Sequence, residues 1–326
     1  MTLSNLPPLV TSFGGSGFVG RHVVRALAKR GYRIRVAVRR PDLAGHLQPL
    51  GNVGQISFVQ ANLRYRNSVD RAVDGADHVI NCVGVLFENG RNTFDAVQDF
   101  GARAVAEAAR ATGATLTHIS AIGADARSDS SYARTKGRAE AAILEILPTA
   151  VILRPSIIFG PEDGFFNKFA EMARFSPVLP LIGGGNTRFQ PVYVTDVAEA
   201  VARSVDGKLA GGTIYELGGP QVLSFRECLD IMLKTIDRKR SFVSLPFGIA
   251  SLMGSVASLV PFIEPPLTAD QVVLLKSDNV VSAMAETEGR TFAGIGIEPT
   301  MLESILPTYL VRYRPHGQYT RTGRAA

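Results

Sequence analysis

Two spacings of apolar residues alternate along the first half of this chain. Residues 9–13 form a short apolar run that leads into glycines, the pattern of a buried strand and a tight turn. Residues 18–30 place Val19, Val23, Ala26 and Leu27 on one helical face, with Arg21, Arg25 and Lys29 elsewhere and Gly31 as the stop. Ile34, Val36 and Val38 alternate through residues 33–38, a second strand. The series continues with strands at 56–60, 76–83 and 116–120, a short helix at 69–73 and an alanine-rich helix at 94–111. Strands alternating with helices at this spacing predict an α/β chain, a Rossmann-type doubly wound parallel sheet. Ligands of such sheets bind beyond the carboxyl ends of the strands, where the strand order reverses.

The candidate chemistry begins at the first turn. Gly14-Gly15-Ser16-Gly17-Phe18-Val19-Gly20 spaces its glycines G-x-x-G-x-x-G between strand and helix, the context a dinucleotide-binding turn requires. Gly14 allows a turn that a Cβ would block, Gly17 lets the backbone approach a pyrophosphate, and Gly20 lets the helix sit close on the strand. The second strand runs into Arg39-Arg40-Pro41, where an NAD-binding sheet carries an acid for the ribose hydroxyls. Arginine cannot accept those bonds but binds a 2′-phosphate through charge-assisted ones, so the expected cofactor is NADP(H), NADPH preferred. The bland alternatives are a ligand-free glycine loop and a solvated basic turn. Asn62 and Leu63 follow the third strand at the expected adenine loop, and Val83 and Gly84 close the fourth on the expected nicotinamide side. Ser120 ends the fifth strand. Further on, Tyr132 and Lys136 share a helical face one turn apart. An ammonium there favours tyrosinate, drawing the tyrosine toward an acid/base range, and can also hold the nicotinamide ribose. That spacing is common by chance; its place after the fifth strand gives it weight.

Composition narrows the class. With 326 residues, 46% hydrophobic and 20% charged, the chain suits one large α/β domain with an added lobe, or two modest domains. The 35 basic against 29 acidic residues give +6, which suits an anionic ligand or an acidic partner. No basic helix or aromatic-basic platform appears, so no nucleic acid is expected. Cys82 and Cys228 read as buried free thiols, and the scattered histidines predict no metal site. Residues 1–8 show no signal or transit peptide, and the apolar stretch 247–262, broken by Pro261, falls short of the roughly 20 residues of a membrane span. An intracellular protein, not integral to a membrane, is expected.

Two later motifs add a resemblance: Leu153-Arg154-Pro155-Ser156-Ile157-Ile158-Phe159-Gly160-Pro161 and Pro191-Val192-Tyr193-Val194-Thr195-Asp196-Val197-Ala198. With the glycine turn and the Tyr132/Lys136 pair, residues 9–219 resemble the extended and atypical branches of the short-chain dehydrogenase/reductase superfamily. The resemblance implies that Arg154, Pro155 and Ser156 line the crevice, with Pro155 and Ser156 at the cofactor, and that Ser120, Tyr132 and Lys136 are the catalytic set. It implies a smaller C-terminal lobe, hence a nucleotide-binding core at 1–160 and a segment at 161–326 that returns strands to the core and builds the lobe, ending in a basic tail at 312–326. Thr195 or Asp196 is expected to cap the helix that follows the valine-rich strand.

Residues 264–281 read by pattern as a Thr-capped apolar helix and a polar turn. They are similar to one subgroup, the NADPH-binding accessory subunits of respiratory complex I (NADH:ubiquinone oxidoreductase) and their bacterial relatives. That similarity implies a structural or assembly subunit with NADPH held for stability. It would be peripheral on the cytoplasmic face of a bacterial inner membrane, with subunits of the peripheral arm as partners and the basic tail available to an acidic surface. The other reading is an NADPH-dependent reductase or epimerase of a small carbonyl or sugar, with Tyr132 as acid, Lys136 as its tuner and Ser120 polarising the carbonyl. A nucleotide-state sensor is a third. Three departures from the family bear against turnover: Ala121 where a second serine is frequent, Asn62 in place of aspartate, and the bulky strand exit Asn81-Cys82-Val83-Gly84.

Overall fold

The computed structural model describes residues 6–257 and 268–316, with the backbone alone for 255–257. The chain begins β1 (Leu9–Phe13), α1 (Phe18–Lys29), β2 (Arg33–Val38), β3 (Ile56–Gln60), α2 (Arg66–Val73), β4 (His78–Asn81), α3 (Phe100–Thr112), β5 (Thr115–Ile119), α4 (Ser131–Ile146) and β6 (Val151–Pro155). It continues with β7 (Ile158–Phe159), α5 (Phe166–Phe175), β8 (Val178–Ile182), β9 (Arg188–Phe189), β10 (Val192–Tyr193), α6 (Val194–Val205) and β11 (Ile214–Leu217). After these come β12 (Leu223–Ser224), α7 (Phe225–Thr235), β13 (Ser241–Leu245), α8 (Phe247–Ala257), α9 (Ala269–Leu274), α10 (Ala283–Thr287) and α11 (Leu302–Leu310). Two compact units result. The first holds the described residues up to Ser156 with Val194–Leu217 and Val281–Glu298; the second holds Ile157–Tyr193 and the described parts of 218–280 and 299–326.

The first unit is built on a seven-stranded sheet of order β11-β6-β5-β4-β1-β2-β3, parallel at every pairing. The chain runs outward from β1 to β3, then crosses to β4 on the other side of β1. The carboxyl ends of β1 and β4 therefore mark the point where strand order reverses. Both faces are covered, as a parallel sheet requires. On one face lie α2, α3 and α4, whose small Ala102, Ala106, Ala109 and Ala139 pack with Leu116 and Ile143. On the other, α1 lies against α6, with Val23, Leu27, Val197 and Val201 fully buried. The end of α1 is pinned there: Arg30 pairs with Glu199 at 2.6 Å and Asp206 at 3.2 Å.

The doubly wound parallel sheet is as the periodicity predicts; several boundaries differ for local reasons. Strand β4 is shorter than 76–83: Cys82 N–H still donates to Phe13 O at 3.0 Å, but the Asn81 side-chain oxygen takes the Val83 N–H at 3.1 Å and turns the chain away. The alanine-rich helix opens with a π-helical stretch, Asp95–Asp99, before α3. Helix α6 starts directly from β10 at Val194, so Thr195 and Asp196 lie inside its first turn instead of capping it. Asp196 still complements the helix dipole there.

The second unit has its own apolar core, in which Phe165, Phe169, Phe189 and Phe225 meet mostly edge to face. Short strand pairs frame it: β7 with β10, β9 with β12, and β8 with β13. Asp163, 3% exposed, ties its loop to α11 by accepting from Phe165 N at 2.9 Å, Asn167 N at 3.2 Å and the Tyr309 hydroxyl at 2.5 Å. Thr268 caps α9 through a reciprocal pair with Gln271, as the pattern predicts; residues 264–267 of that motif lie outside the described residues. The first part of the basic tail does join this unit: Arg312 donates to Asn167 Oδ1 at 2.6 Å and Arg314 to Thr235 O at 2.8 Å. The tail from 317 on lies outside the described residues.

Arg154 is a half-buried cation of the sheet's outer half. Its guanidinium donates to Glu140 at 2.9 Å and stands 3.6 Å from Glu216, whose other oxygen accepts the Ser282 N–H at 2.7 Å. Burial alone would lower the arginine, but its bonds to the two carboxylates raise it instead. Arg154→Leu would strand two buried carboxylates, and a loss of about 3–5 kcal/mol in urea unfolding is expected at neutral pH.

Candidate functional site

The glycine turn is sterically specified. Gly14 sits at φ +73°, and a Cβ there would lie 3.1 Å from Val83 Cγ2 and 3.2 Å from the Val83 nitrogen. A Cβ on Gly20 would stand 2.2 Å from the Gly14 oxygen, a distance only hydrogen tolerates. At Gly17, the residue before α1, a Cβ would meet only the Gly14 oxygen at 3.3 Å, which leaves one side of the turn open. Gly17 N–H closes the turn on Gly14 O at 3.0 Å. Ser16, Phe18 and Val19 complete the approach to the N-terminus of α1, where the first N–H groups of a helix have no partner within it. This shape admits an anion and excludes side chains.

Across the sheet ends, α4 brings the candidate catalytic groups in. Ser130 caps it, accepting from Ala133 N at 3.2 Å. Gly137 lets it pass the 125–126 backbone so closely that a Cβ would fall 2.3 Å from Ala126 N. Lys136, 4% exposed, donates to Ile119 O at 2.9 Å at the end of β5. Its ammonium is also close to Gly84, whose Cβ position is 3.6 Å away. Burial pulls Lys136 down to about 8, against Glu140 and Cys82, which favour its charge. Ser120 follows β5 with its hydroxyl buried and without a partner among the described residues. Tyr132 lies one turn before Lys136 on α4 and meets Phe94 edge-on, ring centroids 5.9 Å apart.

Two residues here, Gln98 and His118, escaped the sequence reading. Gln98, from the π-helical stretch, donates to Val85 O at 2.6 Å and accepts from Thr135 Oγ1 at 3.1 Å, fastening the loop after β4 to α4 beside Lys136. No periodic pattern announces a π turn. His118 lies within β5, 1% exposed, with neither ring nitrogen partnered among the described residues. Burial and the Lys136 charge hold it well below its usual pKa, so it is neutral. Cys82 is only partly buried as a residue, yet burial pushes its thiol up to about 12, which makes it inert as a nucleophile.

The two arginines after β2 part company. Arg40 is bound to Asp42 through both carboxylate oxygens, at 2.9 and 2.6 Å. Arg39 is exposed, touches only Asn92 Oδ1 at 3.4 Å and has no carboxylate partner among the described residues. Asn62 Oδ1 accepts the Arg64 N–H at 3.2 Å, while Leu63 turns inward against Gly101. Pro155 O accepts from Ile122 N at 3.0 Å and Ser156 N–H donates to Leu217 O at 2.9 Å, so both belong to the sheet end. Arg154, expected in the crevice, is paired with Glu140 and Glu216. The open turn at Gly17, the Ser120 hydroxyl without a partner among the described residues and the exposed Arg39 fit a nicotinamide dinucleotide. Among the described residues no group of three His, Cys, Asp or Glu side chains could hold a metal, and no helix is long and apolar enough to cross a membrane.

A sheet of this topology with this turn defines a nucleotide-binding α/β protein of the short-chain dehydrogenase type. The chain belongs to the NAD dependent epimerase/dehydratase family, whose model matches residues 9–218. It is 35% identical over 321 residues to the Arabidopsis thaliana protein named NADH dehydrogenase (ubiquinone) 1 alpha subcomplex subunit 9, mitochondrial, across 95% of this chain and 79% of that one. It is 37% identical over 190 residues to a ceramide reductase of Caulobacter vibrioides, 58% of each chain. Among solved structures, the NADPH-dependent quinone oxidoreductase QOR2 of Escherichia coli, in complex with NADPH, superposes with a TM-score of 0.72 at 20% identity over 92% of this chain and 99% of that one, a likeness of fold.

The burial of Lys136 has a measurable consequence. Its folded pKa of about 8 lies below the ordinary 10.5, so the unfolded chain binds more protons between those values and wild-type stability rises with pH across that window. Lys136→Met lacks this rise. The variant is expected to gain up to about 3 kcal/mol over wild type near pH 7, with the gap closing toward the upper end of the window in a pH series of urea unfolding curves.

Proposed function

We propose that this chain binds NADP(H) and serves as an accessory subunit of a respiratory NADH:quinone oxidoreductase, complex I. It would sit peripherally on the cytoplasmic face of a bacterial inner membrane against other subunits of the peripheral arm. The nucleotide acts there mainly as a stabiliser. The observation that carries this reading is the 35% identity to the plant subunit across 95% of the chain. In support, Arg39 offers a guanidinium without a carboxylate partner where a 2′-phosphate would lie, and Gly14, Gly17 and Gly20 shape a phosphate turn. Lys136, Gly84, Val83 and the Asn62-Leu63 loop would hold the remaining parts of the nucleotide, with Pro155 and Ser156 beside them. A ligand present at a hundred times its dissociation constant adds about 2.7 kcal/mol to a fold, a large share of a typical margin.

Copurification of neighbouring subunits together with retained NADPH is the direct test. Arg39→Asp removes a bidentate partner and adds repulsion, so NADPH and NADH affinities should converge or invert in calorimetric titration. An unchanged preference for NADPH would remove Arg39 as the selector.

The Ser120 hydroxyl, without a partner among the described residues and one residue past the carbonyl that holds Lys136, supports a second reading, a reductase acting on a carbonyl. NADPH supplies hydride in such chemistry. Ser120 would donate to the carbonyl oxygen, Tyr132 would deliver the proton, and the Lys136 ammonium would favour the resulting tyrosinate. One pair of variants separates the readings. If the nucleotide is a stabiliser, Tyr132→Phe leaves assembly intact, whereas Gly17→Val releases nucleotide and loosens the complex. If the chain is a reductase, Tyr132→Phe abolishes NADPH oxidation and Gly17→Val spares the assembled complex.

A further inference from the structure

We infer that Arg64 is a second anchor for the cofactor's 2′-phosphate, paired with Arg39 across the ends of β2 and β3; this rests on the NADP(H) reading above. The two strands are neighbours, with Val38 opposite Gln60, and they leave the sheet together, Ala61 N–H donating to Val38 O at 2.9 Å. Arg39 follows β2 directly and Arg64 follows β3 by four residues. Their guanidinium groups converge on the same short stretch of chain. Arg39 Nη1 reaches Asn92 Oδ1 at 3.4 Å and Arg64 Nη1 reaches Arg91 O at 3.1 Å, acceptors on consecutive residues.

Neither guanidinium meets a carboxylate among the described residues, although nearby arginines do: Arg40 has Asp42, and Arg66 has Asp70 and Glu107. Two like charges held against adjacent residues without a counter-ion repel, and an anion between them would relieve that repulsion. The oxygens they now touch are neutral, and the contact of Arg39 is long. Phosphate oxygens, being charged, form hydrogen bonds roughly twice as strong as these. Asn62 holds the second arginine in place, its Oδ1 accepting the Arg64 N–H at 3.2 Å and facing Arg64 Nε at 3.4 Å. An aspartate at 62 would make the same bonds and cancel the charge. Asparagine orients Arg64 and leaves it cationic.

The test is calorimetric titration of the full chain with 2′,5′-ADP and with 5′-ADP at several salt concentrations. Wild type should prefer 2′,5′-ADP. Arg64→Gln should weaken 2′,5′-ADP by about tenfold or more, leave 5′-ADP nearly unchanged, and flatten the salt dependence of the former. Asn62→Asp keeps the local hydrogen bonds and should shift the ratio the same way, which separates charge from misfolding; Arg64→Lys should recover part of it. If Arg64→Gln leaves the ratio untouched while Arg39→Gln collapses it, the second anchor is overturned and the NADP(H) reading stands. An equal loss for both ligands in Arg64→Gln also overturns it, as a structural effect. A wild type indifferent to the 2′-phosphate removes both the reading and the anchor. Inorganic phosphate competing as well as 2′,5′-ADP would mark a general anion site and overturn the assignment to the cofactor.

Discussion

The carboxyl edge of the sheet depends on one row of close approaches in which no side chain fits. Helix α1 rests on the first turn at Gly20, where a Cβ would lie 2.2 Å from the Gly14 oxygen. Gly14 in turn passes against the exit of β4, where its own Cβ would crowd Val83. One residue further, Gly84 faces the Lys136 ammonium, which is tied to Ile119 O at the end of β5. Helix α4 meets β5 through the Lys136 side chain, whereas helix α1 and strands β1 and β4 are spaced by backbone against backbone. Such spacing is rigid because it has no rotamers to relax. The N-terminus of α1 and the Lys136 ammonium are held in fixed places before any ligand arrives, which is what preorganisation requires.

Two cations that reach α4, one half-buried and one buried, are handled in opposite ways. Arg154 is surrounded by charge of the other sign and completes its bonds within the fold. Lys136 has a carbonyl for a partner, and burial draws it down to about 8. The first arrangement is self-sufficient. The second leaves an ammonium with donors to spare near the ring of His118 and one residue short of Ser120, whose side-chain polar atoms have no partner among the described residues. Polar groups buried without partners oppose folding. Under the function proposed above, hydroxyl oxygens of a bound ribose would satisfy the ammonium, and nucleotide binding and stability would be linked by the same side chain.

Much of this was legible in the sequence, and the remainder was not for identifiable reasons. Alternating strands and amphipathic helices announced the parallel sheet because its strands are buried on both faces and its helices on one. The glycine turn was legible because a missing Cβ at Gly14 and Gly20 is a direct statement about available space. Tyr132 and Lys136 could be placed on one helical face from spacing alone, and Arg39 could be marked by where it follows β2. What failed depended on long-range partners. Nothing in Arg39-Arg40 says that Asp42 occupies only the second arginine. Nothing around Arg154 says that glutamates 14 residues before it and far after it will enclose it. His118 reads as a polar position in a strand, and only the packed fold leaves both its nitrogens without a partner among the described residues.

The π-helical stretch Asp95–Asp99 also sets a counting rule for this chain. A π turn has the effect of one residue inserted into an α-helix, so the helix ahead of α3 carries one residue more than its length demands. Removing that residue would restore an ordinary helix and rotate everything upstream by about 100°, carrying Gln98 off Val85 and Phe94 off Tyr132. The loop after β4 would lose its fastening while every apolar residue of α3 kept its face. Length at this point is therefore as restrictive as residue identity. Two chains of this fold that agree at every catalytic position can still differ here by a single gap, and the gap alone would decide whether that loop is held.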